Sequence, residues 1–456
     1  MFKNVITKFK NYDVKSITLV KNVVFSFLIK GMALIVSFLN MPAYMNFFQD
    51  QAVLGMWFTA ISMLSWILTF DLGIGNGLRN HLVEPIVKNN TEEIKKNISS
   101  AYISVGIVVI ILTICSVVII PLLNWNKILN ISSDIVSRDA LLFMVTMLII
   151  GILVQFWLKL ATSILYALQK SAISGLLTLL SSILMLVFTL FAKTNNITYN
   201  IKILSIAYVF TANIPFLIAT IILFSTKLKN CNPSIKYFKK SYANRILKLG
   251  GIFFYLQILT MVMFSTNEFL ISRLIDPKEV VPFQIYNKLF SLVSTFFNLA
   301  LTPVWSAVTE ACVKKDYLWV KGLYNKLNKM LLILVPCEAV LILLMPIILK
   351  YWLGNNTIAV YYPYSIIFAI YNILFMKVSI DTSIIAGLGT LKVQAIALTV
   401  TTLLKILLSF ILIHIVNTWI SIIISNILAL LPYIIIEYFD IKYRFNLLSR
   451  SERYDL

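Results

Sequence analysis

Apolar runs of about 20 residues recur along nearly the whole 456-residue chain, each as long as a helix needs to be to cross a hydrocarbon layer roughly 30 Å thick. With 59% hydrophobic residues and a mean hydropathy of +0.88, the chain far exceeds the apolar content of a soluble domain. Inside lipid the backbone must satisfy its own polar groups, so runs of this length are expected as helices. The expected fold class is an all-α polytopic membrane protein.

Measured against the hydrocarbon thickness, the runs give spans near 19–43, 52–77, 98–122, 139–161, 172–193, 203–226, 248–272, 281–306, 328–350, 358–379, 392–414 and 416–438, about twelve in all. The basic start (Lys3, Lys8, Lys10, Lys15) runs into the first span without an A-x-A-like cleavage site, so that span is expected to stay in place.

A net charge of +20 would suggest nucleic acid in a soluble protein, but here the basic residues fall in short loops between spans. There they set topology and meet anionic headgroups, so no nucleic-acid partner is expected and membrane lipids are. With the N-terminus inside, 29 Lys and Arg fall on the inner side, seven on the opposite side, and Lys30, Lys288 and Lys405 within the membrane. Both termini are therefore predicted cytoplasmic, and a register error of one helix would scramble the asymmetry.

The longest inner polar segment is KLKNCNPSIKYFKKSYANRILK, Lys227 to Lys248, with six spans on either side. The expected organisation is a six-helix bundle at 1–227, a basic linker at 228–247, a second six-helix bundle at 248–441 and a cytoplasmic tail at 442–456. Transporters built from repeated bundles share this arrangement.

The four cysteines show no C-x-x-C or metal spacing and read as free thiols, so no metal is expected. The glycines of FDLGIGNGLRN (70–80) follow no strand, and no GxxxxGK[ST] loop is present, so no nucleotide cofactor or ATP-driven step is expected.

Four spans carry polar residues at helical spacing. The first lines up Asn22, Ser26, Lys30, Ser37 and Asn40; the second Thr59, Ser62, Thr69, Gly73 and Asn76; the eighth Lys288, Ser291, Thr295, Asn298, Thr302 and Ser306. The seventh is less regular, with Gln257, Thr260, Asn267, Glu268 and Ser272. The simplest geometry gathers the four faces around one water-accessible cavity; the alternative is that the hydroxyls and amides bond helices together.

Lys30 lies nine residues beyond Lys21, roughly 13 Å along the helix and too deep to snorkel comfortably. A lysine near a helix centre costs on the order of 2.5–3.5 kcal/mol and needs an offsetting use. Lys288 sits about eight residues inside the eighth span, with Arg273 near the outer end of the seventh. The three are the candidate substrate-binding cations, suited to an anion. Glu268 is a partner for Arg273 or Lys288, or a carrier of a coupling proton or cation, while Asp71, Arg79 and His81 are candidates to close an inner gate. Lys405 and Glu338 lie outside the striped helices and are expected in an inter-helix pair or at a lipid headgroup.

LGMWFTAISMLSWILTFDLGIGNGLRN (54–80) resembles the polysaccharide flippases, the Wzx-type O-antigen and capsule transporters of the multidrug/oligosaccharidyl-lipid/polysaccharide (MOP) exporter superfamily. LTPVWSAVTEACVKKDYLWVK (301–321) is similar to that family's tryptophan-containing eighth-helix end and D-x-x-W loop. The resemblance implies two six-helix bundles in a V around a central cationic cavity, in a bacterial cytoplasmic (inner) membrane. It implies transport of an undecaprenyl-pyrophosphate-linked oligosaccharide by alternating access, with Lys30 and Lys288 on the pyrophosphate or an acidic sugar and the Ser, Thr and Asn stripes on hydroxyls. Polysaccharide polymerase and chain-length machinery are further candidate partners.

A multidrug and toxic-compound (MATE) antiporter of the same superfamily is the nearest alternative, but it would be expected to carry acidic groups deep in its cavity, where the first span has a lysine. A flippase for another lipid-linked precursor, such as teichoic acid, shares the mechanism. A membrane polymerase or ligase is disfavoured by short external loops and by the lack of paired carboxylates for acid/base work, so the chain is read as no enzyme.

Overall fold

Long apolar runs fold as helices that begin where a side chain can cap the free amides of the first turn. In the computed structural model Asn90 caps α4 (Thr91–Ile119), Ser137 caps α6 (Arg138–Leu158), Asn196 caps α9 (Ile197–Ser225) and Asp316 caps α15 (Tyr317–Leu353). The structure describes residues 14–69, 74–168, 170–192, 194, 196–248, 251–301, 304–313, 315–354, 358–388 and 391–454.

Those capped helices alternate with α1 (Val14–Phe48), α2 (Gln51–Thr69), α3 (Ile74–Val87), the short α5 (Trp125–Ile128), α7 (Leu160–Ala167), α8 (Ser171–Phe191) and α10 (Lys240–Lys248). The chain continues through α11 (Gly251–Phe264), α12 (Asn267–Leu274), α13 (Val280–Leu301), α14 (Val304–Val313), α16 (Tyr362–Leu388), α17 (Leu391–Ile415) and α18 (Ile420–Tyr454). No strand occurs among the described residues.

Ten described helices are long and apolar enough to cross a membrane, and eleven spans result if the bent pair α11–α12 is one of them. The remaining expected span, 281–306, coincides with α13, which carries Lys288 and the eighth polar stripe. The span expected at 52–77 takes in α2 and the first residues of α3, and α3 runs on to Val87. Asp71 lies outside the described residues, as do the side chains of Ser26 and Asn76.

The chain divides into two compact units that interleave in sequence. The first comprises Met1–Phe47, Ile67–Asn124 and Val136–Phe254; the second comprises Phe48–Trp66, Trp125–Ile135 and Tyr255–Leu456. In the first unit, Leu78 and Leu82 of α3 pack with Ile98 and Tyr102 of α4 and with Ile164 of α7. The basic linker docks on this unit: the Ser99 and Ser100 hydroxyls accept from the amides of Ser234 and Lys239 at 3.1 Å each, and Tyr242 donates to Glu93 at 2.6 Å. Cys231, a free thiol in the linker, is buried, and burial pushes its pKa up, consistent with an unreactive side chain. The second unit has its own core, in which Phe297 of α13, Tyr324 of α15, Ile380 of α16 and Ile441 of α18 meet.

Within the second unit α2 lies so close to the segment before α13 that a Cβ added at Gly55 would fall on the Pro277 carbonyl. Gly31, on α1, has open space at the same position. Gly55→Ala is therefore expected to lose about 1–3 kcal/mol through overpacking, and Gly31→Ala to be neutral or to gain up to about 1 kcal/mol. Thermal unfolding of the two detergent-solubilised variants checks this; equal midpoints would contradict the close approach.

Candidate functional site

In the first unit, α1 turns Ile29 and Val36 into the protein against Ala172 and Leu179 of α8. Lys30 is one residue round from Ile29 and is exposed, with Ser37 and Asn40 half-buried at the i+7 and i+10 positions. The expected stripe is therefore placed on a face next to the packed one. Arg79, expected at an inner gate, is exposed and holds its guanidinium 5.3 Å from the centre of the Tyr166 ring. This cation–π contact joins α3 to α7.

In the second unit, α13 carries Lys288, Ser291, Thr295 and Asn298, all half-buried. The order lysine, hydroxyl at i+7, asparagine at i+10 is the one seen on α1. Ser291 donates to the Lys288 carbonyl at 3.2 Å, so part of its hydrogen bonding is spent within its own helix. Arg273 is exposed in the last turn of α12.

A cluster of polar side chains surrounds the break between α11 and α12, where the axis bends by 43°. Such a break frees the last carbonyls of α11, and in an apolar interior each needs a donor. Lys405 of α17 supplies it: its fully buried Nζ lies 2.6 Å from the Met263 carbonyl, 3.0 Å from that of Val262, 3.0 Å from the Thr266 hydroxyl and 2.9 Å from Asn267 Oδ1. The positive charge also sits at the negative end of the α11 dipole. Asn426 of α18 donates to the same Asn267 oxygen at 3.1 Å, and Trp66 of α2 donates to the Ser265 carbonyl at 2.8 Å.

One residue beyond Asn267, the buried Glu268 carboxylate accepts from Ser62 of α2 at 2.9 Å and from Gln284 of α13 at 2.8 Å. Among the described residues no ion pair links it to Arg273 or Lys288, the partners considered from the sequence. It joins the seventh span to polar residues of the second and eighth, three of the four striped spans.

Lys405 is thus neither a lipid-facing anchor nor half of an ion pair, but the residue that holds a broken helix. The sequence flagged its depth; its acceptors lie about 140 residues earlier. Glu338 of α15 accepts from Asn372 of α16, whose amide also donates to the Phe290 carbonyl at 2.8 Å.

Lys377 changes its assignment. It falls near the end of the expected span 358–379 and is one of the 29 charges assigned to the inner side, yet α16 continues to Leu388 and places it within the helix, because the sequence after Asp381 remains apolar. Its Nζ lies 2.5 Å from the buried Asp381 one turn on, and 2.9 Å from the Tyr324 hydroxyl, which itself donates to Asp381 at 3.1 Å. The i,i+4 Lys–Asp spacing was the available signal. Among the described residues no group of His, Cys, Asp and Glu is arranged to hold a metal.

Removing the Lys405 ammonium takes from the Met263 carbonyl its side-chain donor and leaves the Val262 carbonyl with the Thr266 hydroxyl alone, so Lys405→Met is expected to cost at least about 2 kcal/mol. Glu268→Gln keeps the shape and both contacts, its amide oxygen accepting from Gln284 and its amide nitrogen donating to the Ser62 hydroxyl, so its effect is expected to stay within about 1 kcal/mol. Thermal unfolding of both variants in one detergent checks the order, which would reverse if Lys405 were a surface anchor.

No family model matches the chain. It is 26% identical over 271 residues to a putative O-antigen export protein of Yersinia pseudotuberculosis, covering 56% of this chain and 58% of the relative. It is 25% identical over 276 residues to a putative O-antigen transporter of Salmonella typhimurium, covering 59% of each. The chain thus spans just under three-fifths of the length of the curated relatives it matches.

Among solved structures it is similar to an inward-facing multidrug resistance MATE family transporter of the MOP superfamily, with a TM-score of 0.73 at 14% identity over 93% of this chain and 99% of that one. It is also similar to the lipid II flippase MurJ in an inward closed conformation, with a TM-score of 0.70 at 16% identity over 93% of this chain and 90% of that one. These relatives and neighbours are named as transporters and flippases, not as enzymes. The resemblance read from the sequence is borne out: this is a polytopic α-helical membrane protein with the fold of those two transporters, and its curated relatives are named as putative O-antigen export and transport proteins.

Proposed function

We propose that the chain is a flippase that carries undecaprenyl-pyrophosphate-linked oligosaccharide repeat units across a bacterial cytoplasmic membrane by alternating access, for surface polysaccharide such as O-antigen or capsule. The observation that carries this reading is the matching pair of polar stripes, each with one lysine deep in an apolar helix, in a chain similar to O-antigen transport proteins. A lysine at such depth is expensive in lipid, and an anionic group such as a pyrophosphate offsets the expense by pairing with it.

On this reading Lys30, Lys288 and Arg273 are the anion-binding positions. Ser26, Ser37, Asn40, Asn76, Ser291, Thr295 and Asn298 offer adaptable hydrogen bonds to sugar hydroxyls. Glu268, with Asp71 and Arg79, serves gating or coupling. The lysine and arginine asymmetry supports cytoplasmic termini, and the central linker supports halves at 1–227 and 248–441 joined by 228–247, with 442–456 as a tail. Membrane lipids, polysaccharide polymerase and chain-length machinery are the proposed partners.

A second reading, a MATE-type ion-coupled antiporter, draws on the buried Glu268 beside a broken helix. The first reading is preferred because the exposed charge on α1 is a cation, which repels the cationic substrates such an antiporter would carry.

The test is complementation of cells lacking their own flippase, read as arrival of lipid-linked glycan on the far side of the membrane. The native chain is expected to restore export. Lys30→Ala and Lys288→Ala, at wild-type protein level, are expected to lower it at least about tenfold, since a charge-assisted contact is worth roughly 1.5–3 kcal/mol. Restoration by all three alike would make the lysines structural; restoration by none would put the substrate class in error.

A further inference from the structure

The segment Trp125–Ile135 joins α4 to α6, two helices that pack on one another in the first unit, yet it folds as part of the second. Within the segment the chain closes on itself. The Leu129 amide donates to the Trp125 carbonyl at 2.9 Å, the Ile131 amide to the Asn126 carbonyl at 3.0 Å, and the Asn126 side-chain amide to the Ile131 carbonyl at 3.2 Å. Asn130, at the tip, takes a φ of 54°, a left-handed conformation that asparagine tolerates better than most residues. The segment therefore holds its shape by bonds of its own, apart from those it makes to the second unit.

It rests on the last turn of α12. The Asn130 side-chain amide donates to the Ser272 carbonyl at 2.8 Å, and the Ser272 hydroxyl donates to the Leu129 carbonyl at 3.1 Å, so each side gives one bond and receives one. Leu129, Ile131 and Ser272 are buried by the contact and its surroundings. Carbonyls in the last turn of a helix lack a donor within that helix, and Asn130 supplies one here. Lys127 and Arg273, which flank the contact in sequence, are both among the charges assigned to the outer side. At that level water reaches the partners once they part and replaces each bond lost, which the apolar surroundings of the buried Lys405 do not allow. A contact of two neutral bonds that water can replace is close to balanced, so it can open and close.

We propose that Trp125–Ile135 is an outer clasp, which the Asn130–Ser272 pair holds on α12 in one half of the transport cycle and which lifts away, still folded, in the other. The proposal rests on the flippase reading and adds to it the piece of chain that opens the outer side.

The test replaces the four native cysteines by Ala and joins Asn130→Cys to Ser272→Cys with a short, reducible bis-thiosulfonate reagent in the complemented cells. Export is expected to be lost while the pair is joined and to return on reduction. Export that continues with the pair joined would overturn the clasp, because a contact that never parts takes no share in the cycle. A second variant, in nanodiscs, carries Ile131→Cys, buried in the closed clasp, and is compared with Asp134→Cys, exposed in the same segment. A water-soluble maleimide is expected to label position 131 at least about tenfold more slowly than position 134, since labelling waits for the clasp to open. Ser272→Ala is expected to speed labelling at 131 by about twofold to tenfold, the weight of one neutral hydrogen bond. Equal labelling of the two positions, or no response to Ser272→Ala, would overturn the proposal even where no cross-link forms. Failure of the native chain to export, with labelling at 131 still faster in Ser272→Ala, keeps the clasp and removes the flippase reading.

Discussion

Hydrocarbon offers no hydrogen bonds, and every part of this chain is arranged around that fact. Helices answer it for most of the backbone, and the one bent span among the described residues shows what happens where they do not. There the carbonyls freed at the end of α11 are met by the Lys405 ammonium and by the side chains of Thr266 and Trp66. An uncompensated ammonium in the interior would cost several kcal/mol, and so would unpaired carbonyls in lipid; placed together, each removes much of the other's penalty.

The same economy explains why Glu268 sits where it does. It is buried beside the break, held by the neutral donors Ser62 and Gln284, so α2, α12 and α13 are tied through one carboxylate. Protonation on the oxygen facing Ser62 would turn that bond around, the acid donating to the hydroxyl, while the other oxygen still accepts from Gln284. By contrast Lys30, on α1, is exposed. Two lysines of apolar helices thus differ in their surroundings: Lys405 is buried and completes a helix end, and Lys30 is exposed.

The all-α character, nearly every span and the two polar stripes were legible from apolar length and a 3.6-residue period. Lys30, Ser37 and Asn40, like Lys288, Ser291, Thr295 and Asn298, do share a helix face. The end of the tenth span was not legible, since Lys377 resembled a loop anchor until α16 was seen to carry it past Asp381 to Leu388. A single lysine in an apolar run looks the same whether it ends the span or pairs one turn ahead. Likewise the run of α3 on to Val87, ten residues past the expected end of the second span at 77, was not legible.

What the sequence determined by itself was the solvent of the fold and the period of its elements. Length and hydropathy act within about 20 residues, and each run carries enough of both to declare a helix. What only the tertiary structure decided was which charges are spent on the protein. The acceptors of Lys405 stand about 140 residues away, and the donor Ser62 stands 206 residues from Glu268. Pairings over such distances depend on how helices are set side by side, and a one-dimensional pattern of polarity holds no record of the neighbour across the helix.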